Sequence, residues 1–437
     1  MSGSVRRLIV AAALALPPVL ATCSKNAEAP KIPSMLVQPL VGDQRGGLAG
    51  YAVNLRPAVR VTDSTGHTIP GASVTFAVTG GGGSGTGLTA TTDGNGIAQV
   101  GSWVLGGSAG VNTMTATVTA TGFTGGQHTF ADTGYAAGYT ITIHQYGPAM
   151  PAAAQAAFDS AVAKWQRIIY RPLTLVNLVV PAGTCAPGTP KDSEPTTGLV
   201  ILAAVDSIDG PGKTLAQAFP CEARASNGLS VFGVMLFDSA DVGTLSSTTL
   251  RSVILHEMGH VIGFGTLWGP PNPPVQADCI RLQSNPPGTV QDTYFSCPKA
   301  TAAFDSSGGL NYFGSGQGTP AGNKVPVENC GTAPFVSPTC GAGTVNSHWR
   351  EVVMFNELMT GFINSSVPNP LSVITVAAQE DLGYTVNYAA ADPYSHAFTA
   401  PPAGGVAPPV WLGNDVLHRP IYVVDARGAI VRVIPPR

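Results

Sequence analysis

Between residues 247 and 263 the chain reads S-T-T-L-R-S-V-I-L-H-E-M-G-H-V-I-G, which sets two imidazoles and a carboxylate at a spacing suited to metal chemistry. His256 and His260 are four positions apart, and on an α-helix such positions lie one above the other on one face. Both rings can therefore reach a single ion. Glu257 is turned about 100° from His256, which places its carboxylate beside the ion rather than on it, where it can act as general base toward a water. Leu250, Ile254, Met258 and Val261 gather on the opposite side of the helical wheel, as in a core helix that presents its ligands to a cleft. Gly263 can adopt a positive φ, end the helix and turn the chain back toward the metal. The bland alternative is a pair of core histidines with no ion.

A zinc ion used for hydrolysis takes three protein ligands and leaves one position to water, so a third ligand is expected downstream. His348, in N-S-H-W-R-E, is the candidate, followed by Met359 in N-E-L-M-T-G. Glu351 and Glu357 are rivals, favoured if the helix runs unbroken through Gly263. Taken together, His256, His260, Gly263, His348 and Met359 resemble the metzincin metallopeptidases, and within them the leishmanolysin-like family, whose compact motif is interrupted by an insertion before the third histidine. The likeness extends to L-A-Q-A-F-P-C, P-V-E-N, S-H-W-R-E, E-L-M-T-G and E-D-L-G-Y-T-V, and covers about residues 139–394.

The resemblance implies one catalytic Zn2+ held by His256, His260 and His348, Glu257 as general base, and Met359 in a tight turn beneath the ion. It also implies a protein or peptide substrate. Some metzincins carry a tyrosine two residues after the methionine; here that position is Gly361. The relatives on which the family is founded carry a propeptide cysteine that blocks the metal. Cys23, the sole cysteine before the catalytic region, reads instead as a lipidation site, and no such switch is expected.

The elements that must position these groups follow from periodicity. The catalytic region, residues 139–391, is expected to be an α+β unit of zincin or metzincin type. A strand at 139–144 and an amphipathic helix at 152–169 open it, and apolar runs at 173–180, 198–205 and 231–237 read as strands of one twisted sheet. Residues 215–219 sit where metzincins place the edge strand that lines the cleft. An extended peptide can add to such an edge by main-chain pairing. The insertion, about residues 264–346, is expected to carry His348 to the ion and to wall one side of the cleft. Residues 372–382 have helical spacing with Gly383 as a stop. The tail, 392–437, is rich in Pro, Gly and Ala, with a hairpin pattern at 421–424 and 430–433 around D-A-R-G.

Ahead of this region, residues 1–23 read as an export signal: Arg6 and Arg7, an apolar run too short to span a bilayer, then Cys23. L-A-T-C resembles a bacterial lipobox, which implies a lipidated Cys23 and membrane anchoring; cleavage without lipidation is the alternative. After a linker at 24–34, residues 35–134 alternate in hydrophobicity between turn clusters and are expected to form an antiparallel β-sandwich. V-T-D-x-x-G and T-D-G-N-G resemble bacterial immunoglobulin-like domains. The whole is thus a multidomain chain, extracellular or in the cell envelope, and a monomer is expected.

Of 437 residues only 11% are charged, and the formal net charge is −3, which provides no footprint for nucleic acid. The six remaining cysteines suit an oxidising compartment, and neighbours are expected to pair: Cys185 with Cys221, Cys279 with Cys297, and Cys330 with Cys340. A different class of function, a non-catalytic adhesin or binding lipoprotein working through its immunoglobulin-like module, is the alternative to a peptidase.

Overall fold

The computed structural model describes residues 32–269, 278–289, 292–311, 324–332, 335–336, 340–365, 367–395 and 410–436. The export signal with Cys23, most of the 24–34 linker and part of the tail lie outside the described residues. The chain is multidomain and mostly β-sheet with few helices. Among the described residues no helix is long and apolar enough to cross a membrane.

The first unit is a β-sandwich. Met35–Val41, Ala58–Asp63 and Ile97–Gln99 form one sheet, and the other runs in the order Gly46–Leu48, Gly126–Tyr135, Gly110–Thr119, Ser73–Gly80, Thr89–Thr91. Alternation along each strand turns every second residue inward, so Val59 and Val61 of one sheet meet Val74, Phe76, Met114, Ala116, Val118 and Phe130 of the other around Trp103. It is not wholly antiparallel: Gly46–Leu48 pairs in parallel with Gly126–Tyr135.

The second unit is built on a six-stranded mixed sheet. Its order is Ile141–Gln145, Leu199–Asp206, Ser230–Asp238, Ala216–Arg224, Ile421–Val424, Ile430–Ile434. Leu199–Asp206 lies parallel to both its neighbours and is buried on both faces, which is why its sequence, LVILAAVD, reads as an unbroken apolar run. Leu199, Ile201 and Ala203 face the helical side, and Val200 and Leu202 face the loops around Val176 and Cys185. Helices Ala152–Ile168 and Ser247–Ile262 cover the first face; the Phe158 ring meets Phe237 edge-on at 5.4 Å, and the Trp165 indole donates to the Leu255 carbonyl. Ser372 caps the closing helix Val373–Leu382, and Gly383, at φ +110°, ends it.

Two expectations need correction. Residues 173–180 do not join the main sheet; only Val176–Asn177 is a strand, paired with Pro195–Thr196, and Leu178 and Val180 pack from loop against the sheet's far face. Nor is Ala216–Arg224 an open edge. Its outer side is occupied by the C-terminal hairpin, with Glu222 opposite Tyr422 and Arg224 opposite Val424. The tail beyond residue 410 is therefore part of the sheet.

The three disulfides join Cys185 to Cys221, Cys279 to Cys297, and Cys330 to Cys340. Glu222, beside the first of them, is fully buried, and neither carboxylate oxygen has a hydrogen-bond partner. Burial pushes its pKa from 4.5 up to about 7. The folded chain then holds a proton that the unfolded chain releases, so the stability from this group is full below pH 4.5 and is lost as the pH rises through 7. Glu222→Gln is expected to flatten that slope and to be more stable than the wild type at pH 8 by about 2–3 kcal/mol. Urea unfolding at pH 5 and pH 8 measures it; an equal wild-type stability at both would refute it.

Candidate metal centre

Helix Ser247–Ile262 starts where the Ser246 hydroxyl accepts from the Thr249 amide, and it ends at Gly263, φ +130°. That turn brings the Phe264 carbonyl back to within 2.9 Å of His260 Nδ1. A Cβ at Gly263 would lie 2.6 Å from Leu267 Cδ1. Gly263→Ala is therefore expected to cost about 1–3 kcal/mol, read from denaturant unfolding; an unchanged midpoint would show the turn to be tolerant.

His348 arrives from far along the chain. Its carbonyl accepts from the Glu328 amide, and neighbouring Trp349 forms β-bridges to Val327 on one side and Thr360 on the other. Arg350 fastens the same segment by donating to the Val327 and Thr293 carbonyls. The Cys330–Cys340 link closes the loop that precedes it.

The three rings converge. His260 Nε2 lies 2.9 Å from both His256 Nε2 and His348 Nε2, and the latter two are 3.2 Å apart. A fourth group completes the cluster: Asp415 Oδ2 is 2.9 Å from His348 Nε2, 3.2 Å from His256 Nε2 and 3.9 Å from His260 Nε2. Each ring's other nitrogen faces a backbone carbonyl, Leu358 for His256 (2.7 Å), Phe264 for His260 (2.9 Å) and Thr344 for His348 (2.9 Å). A carbonyl only accepts, so every Nδ1 carries a hydrogen and every neutral ring turns an Nε2 lone pair inward. Three lone pairs and a carboxylate at such range repel unless a proton or a metal ion sits among them. The cluster fits a metal ion.

Electrostatics agree with that demand. Burial pushes His256 and His260 below the usual histidine range, against the pull of Asp415, and so keeps them neutral. Burial also opposes a charge on His348, but the Asp415 carboxylate and the Thr344 carbonyl outweigh it and raise its pKa. Asp415 is disfavoured as an anion by burial, yet the surrounding rings overcome this and hold its carboxyl far below the ordinary range. Glu257 is different. Burial, reinforced by the negative Asp415, lifts its pKa well above 4.5, and neither of its oxygens has a hydrogen-bond partner. A cation at the cluster would draw it back toward ionisation.

Met359 lies against the helix: a Cβ on Gly259 would sit 2.9 Å from its Cε and 3.0 Å from its Sδ. The preceding residue, Leu358, supplies the carbonyl that orients His256. The rival glutamates are elsewhere. Glu357 accepts from Ser372 and Thr375 at the start of the closing helix, and from the Met359 amide. Glu351 is buried away from the cluster, its amide bonded to Glu328. Asp415 was not foreseeable from spacing. It stands in G-N-D-V, 159 positions from His256, with no motif around it.

His256, Glu257, His260, His348 and Asp415 are each 0% exposed. The centre is sealed.

No protein-family model matches the chain, and no curated protein matches it. Among solved structures it is similar to the D00-D0 domain of Intimin, at 16% identity over 23% of this chain and 48% of that one, with a TM-score of 0.18. It is also similar to a β-glucuronidase from glycoside hydrolase family 2, at 19% identity over 24% of this chain and 12% of that one, with a TM-score of 0.17. The chain thus spans less than half the length of each, and likenesses this distant assign no chemistry to the centre.

Proposed function

We propose that this chain is a zinc-dependent endopeptidase, exported to the cell exterior or envelope, in which an immunoglobulin-like module precedes a catalytic unit of the leishmanolysin-like metzincin kind. The observation that carries the reading is the convergence of three Nδ1-anchored imidazoles beside a buried glutamate with no partner of its own. Three imidazoles and a carboxylate suit zinc. When bound, such an ion lowers the pKa of a water toward neutrality and polarises a carbonyl.

The chain's own residues do the rest. The Leu358, Phe264 and Thr344 carbonyls fix the three rings, so no reorientation is needed when substrate arrives. The Glu257 carboxylate takes a proton as the water oxygen bonds to the scissile carbonyl carbon, and delivers it to the amine nitrogen as the C–N bond breaks. On strand Ala216–Arg224 an extended peptide would pair with the outward N–H and C=O of Ala218, which here bond the Asp415 carbonyl and the Leu417 amide.

A second reading, a non-catalytic surface-binding protein with a structural ion, is favoured by one observation, the fourth group and complete enclosure of the centre. One experiment separates them. Purified full-length protein is expected to hold one zinc per chain by plasma mass spectrometry, and the Asp415→Ala chain to cleave unfolded casein until 1,10-phenanthroline is added. Bound zinc without cleavage by that variant would favour the second reading; a chain that takes up no zinc would sink both.

A further inference from the structure

We propose that the segment from Val410 to His418 is an inhibitor carried by the chain itself, seated in the cleft as a peptide would be and closing the metal centre with Asp415. The inference rests on the peptidase reading above.

The segment crosses the mouth of the centre between two walls. On one wall Val410–Trp411 pairs antiparallel with Phe362–Ile363, and the Leu412 amide donates to the Gly361 carbonyl. The Thr344 hydroxyl, on the residue whose carbonyl orients His348, donates to the Gly413 carbonyl. On the other wall lies the strand expected to bind substrate. The Ala218 amide donates to the Asp415 carbonyl at 2.8 Å, and its carbonyl accepts from the Leu417 amide at 3.2 Å, so Val416 pairs with Ala218 as an added parallel strand. Pairing with Ala218 is thereby saturated. A second peptide can add there only by displacing this segment, which the Asp415 side chain anchors to the histidines.

The side chains of the segment divide between solvent and the centre. Asn414 and His418 are exposed, whereas Asp415 is turned inward onto the three Nε2 atoms. Its Oδ2 stands 3.2 Å from His256 Nε2 and 2.9 Å from His348 Nε2, where a fourth ligand to an ion shared by the three rings would sit. A carboxylate at that position competes directly with water and with a substrate carbonyl. Asn414 and His418 reach solvent while Leu412 and Val416 are buried, so the segment is a strap over the centre that the core anchors.

The test uses the full chain loaded with Co2+ and acetohydroxamic acid, a small chelating anion, as probe. The wild-type visible spectrum is expected to stay unchanged on adding the probe, whereas Asp415→Ala and Asp415→Asn, both folded by circular dichroism, change it saturably. Casein cleavage by either zinc-loaded variant is expected to exceed wild type by at least about 10²-fold. A synthetic peptide covering residues 412–419 should suppress both effects in trans, and the same peptide with asparagine in place of Asp415 should not. Probe binding to the wild type as tight as to the variants would overturn the proposal, as would loss of the metal from both. Probe binding confined to the variants, with no cleavage, would uphold the strap and remove the peptidase reading instead.

Discussion

Replacing Glu257 with glutamine in a chain that already carries Asp415→Ala is expected to leave one zinc per chain and to lower casein hydrolysis by about 10²–10⁴-fold, the span that a positioned general base contributes. Glutamine preserves the shape of the side chain and cannot take a proton. Because burial disfavours a charge on Glu257, the neutral amide is not expected to weaken the fold. The thermal midpoint should hold while turnover falls. Zinc content, unfolding and initial rates measured together distinguish loss of the base from loss of the site; a rate within tenfold of the parent would remove Glu257 from the mechanism.

The second large effect concerns His348. His348→Ala is expected to weaken zinc binding by at least about 10²-fold, because loss of a mere hydrogen-bond partner to a metal ligand already costs 10- to 100-fold. In free energy this is about 2.7 kcal/mol or more. The ion stabilises the folded chain in proportion to its affinity, so the gain in thermal midpoint on adding zinc should shrink with it. Glu351→Gln is the control. That side chain is buried outside the cluster, and its replacement should leave zinc affinity where it was. Competition against a chromogenic chelator measures both, and an unchanged affinity in His348→Ala would break the proposed ligand set.

Much of this was legible in the residue order, and the reasons are specific. Helix Ser247–Ile262 announces itself because an apolar stripe and a terminal glycine agree on one element. Strand Leu199–Asp206 is visible as a run of apolar residues, and nearest-neighbour pairing of the cysteines is what loop stapling produces. Asp415 was invisible for a physical reason. Motifs register groups held by one element at a fixed spacing, whereas Asp415 reaches the cluster through sheet pairing settled only by the tertiary fold. The same cause hid the covering of strand Ala216–Arg224: periodicity marks a strand, not what lies against its far side. The run at 173–180 misleads in the opposite sense, since only Val176, Leu178 and Val180 pack against the sheet while Leu175 and Val179 stay exposed.

The mixed sheet is completed by its last two strands, Ile421–Val424 and Ile430–Ile434, drawn from the far end of the chain. Bringing them home closes a very long loop, a slow step in any folding reaction. Asp415 lies just ahead of these strands, so its seating on the histidines is coupled to the docking of the hairpin.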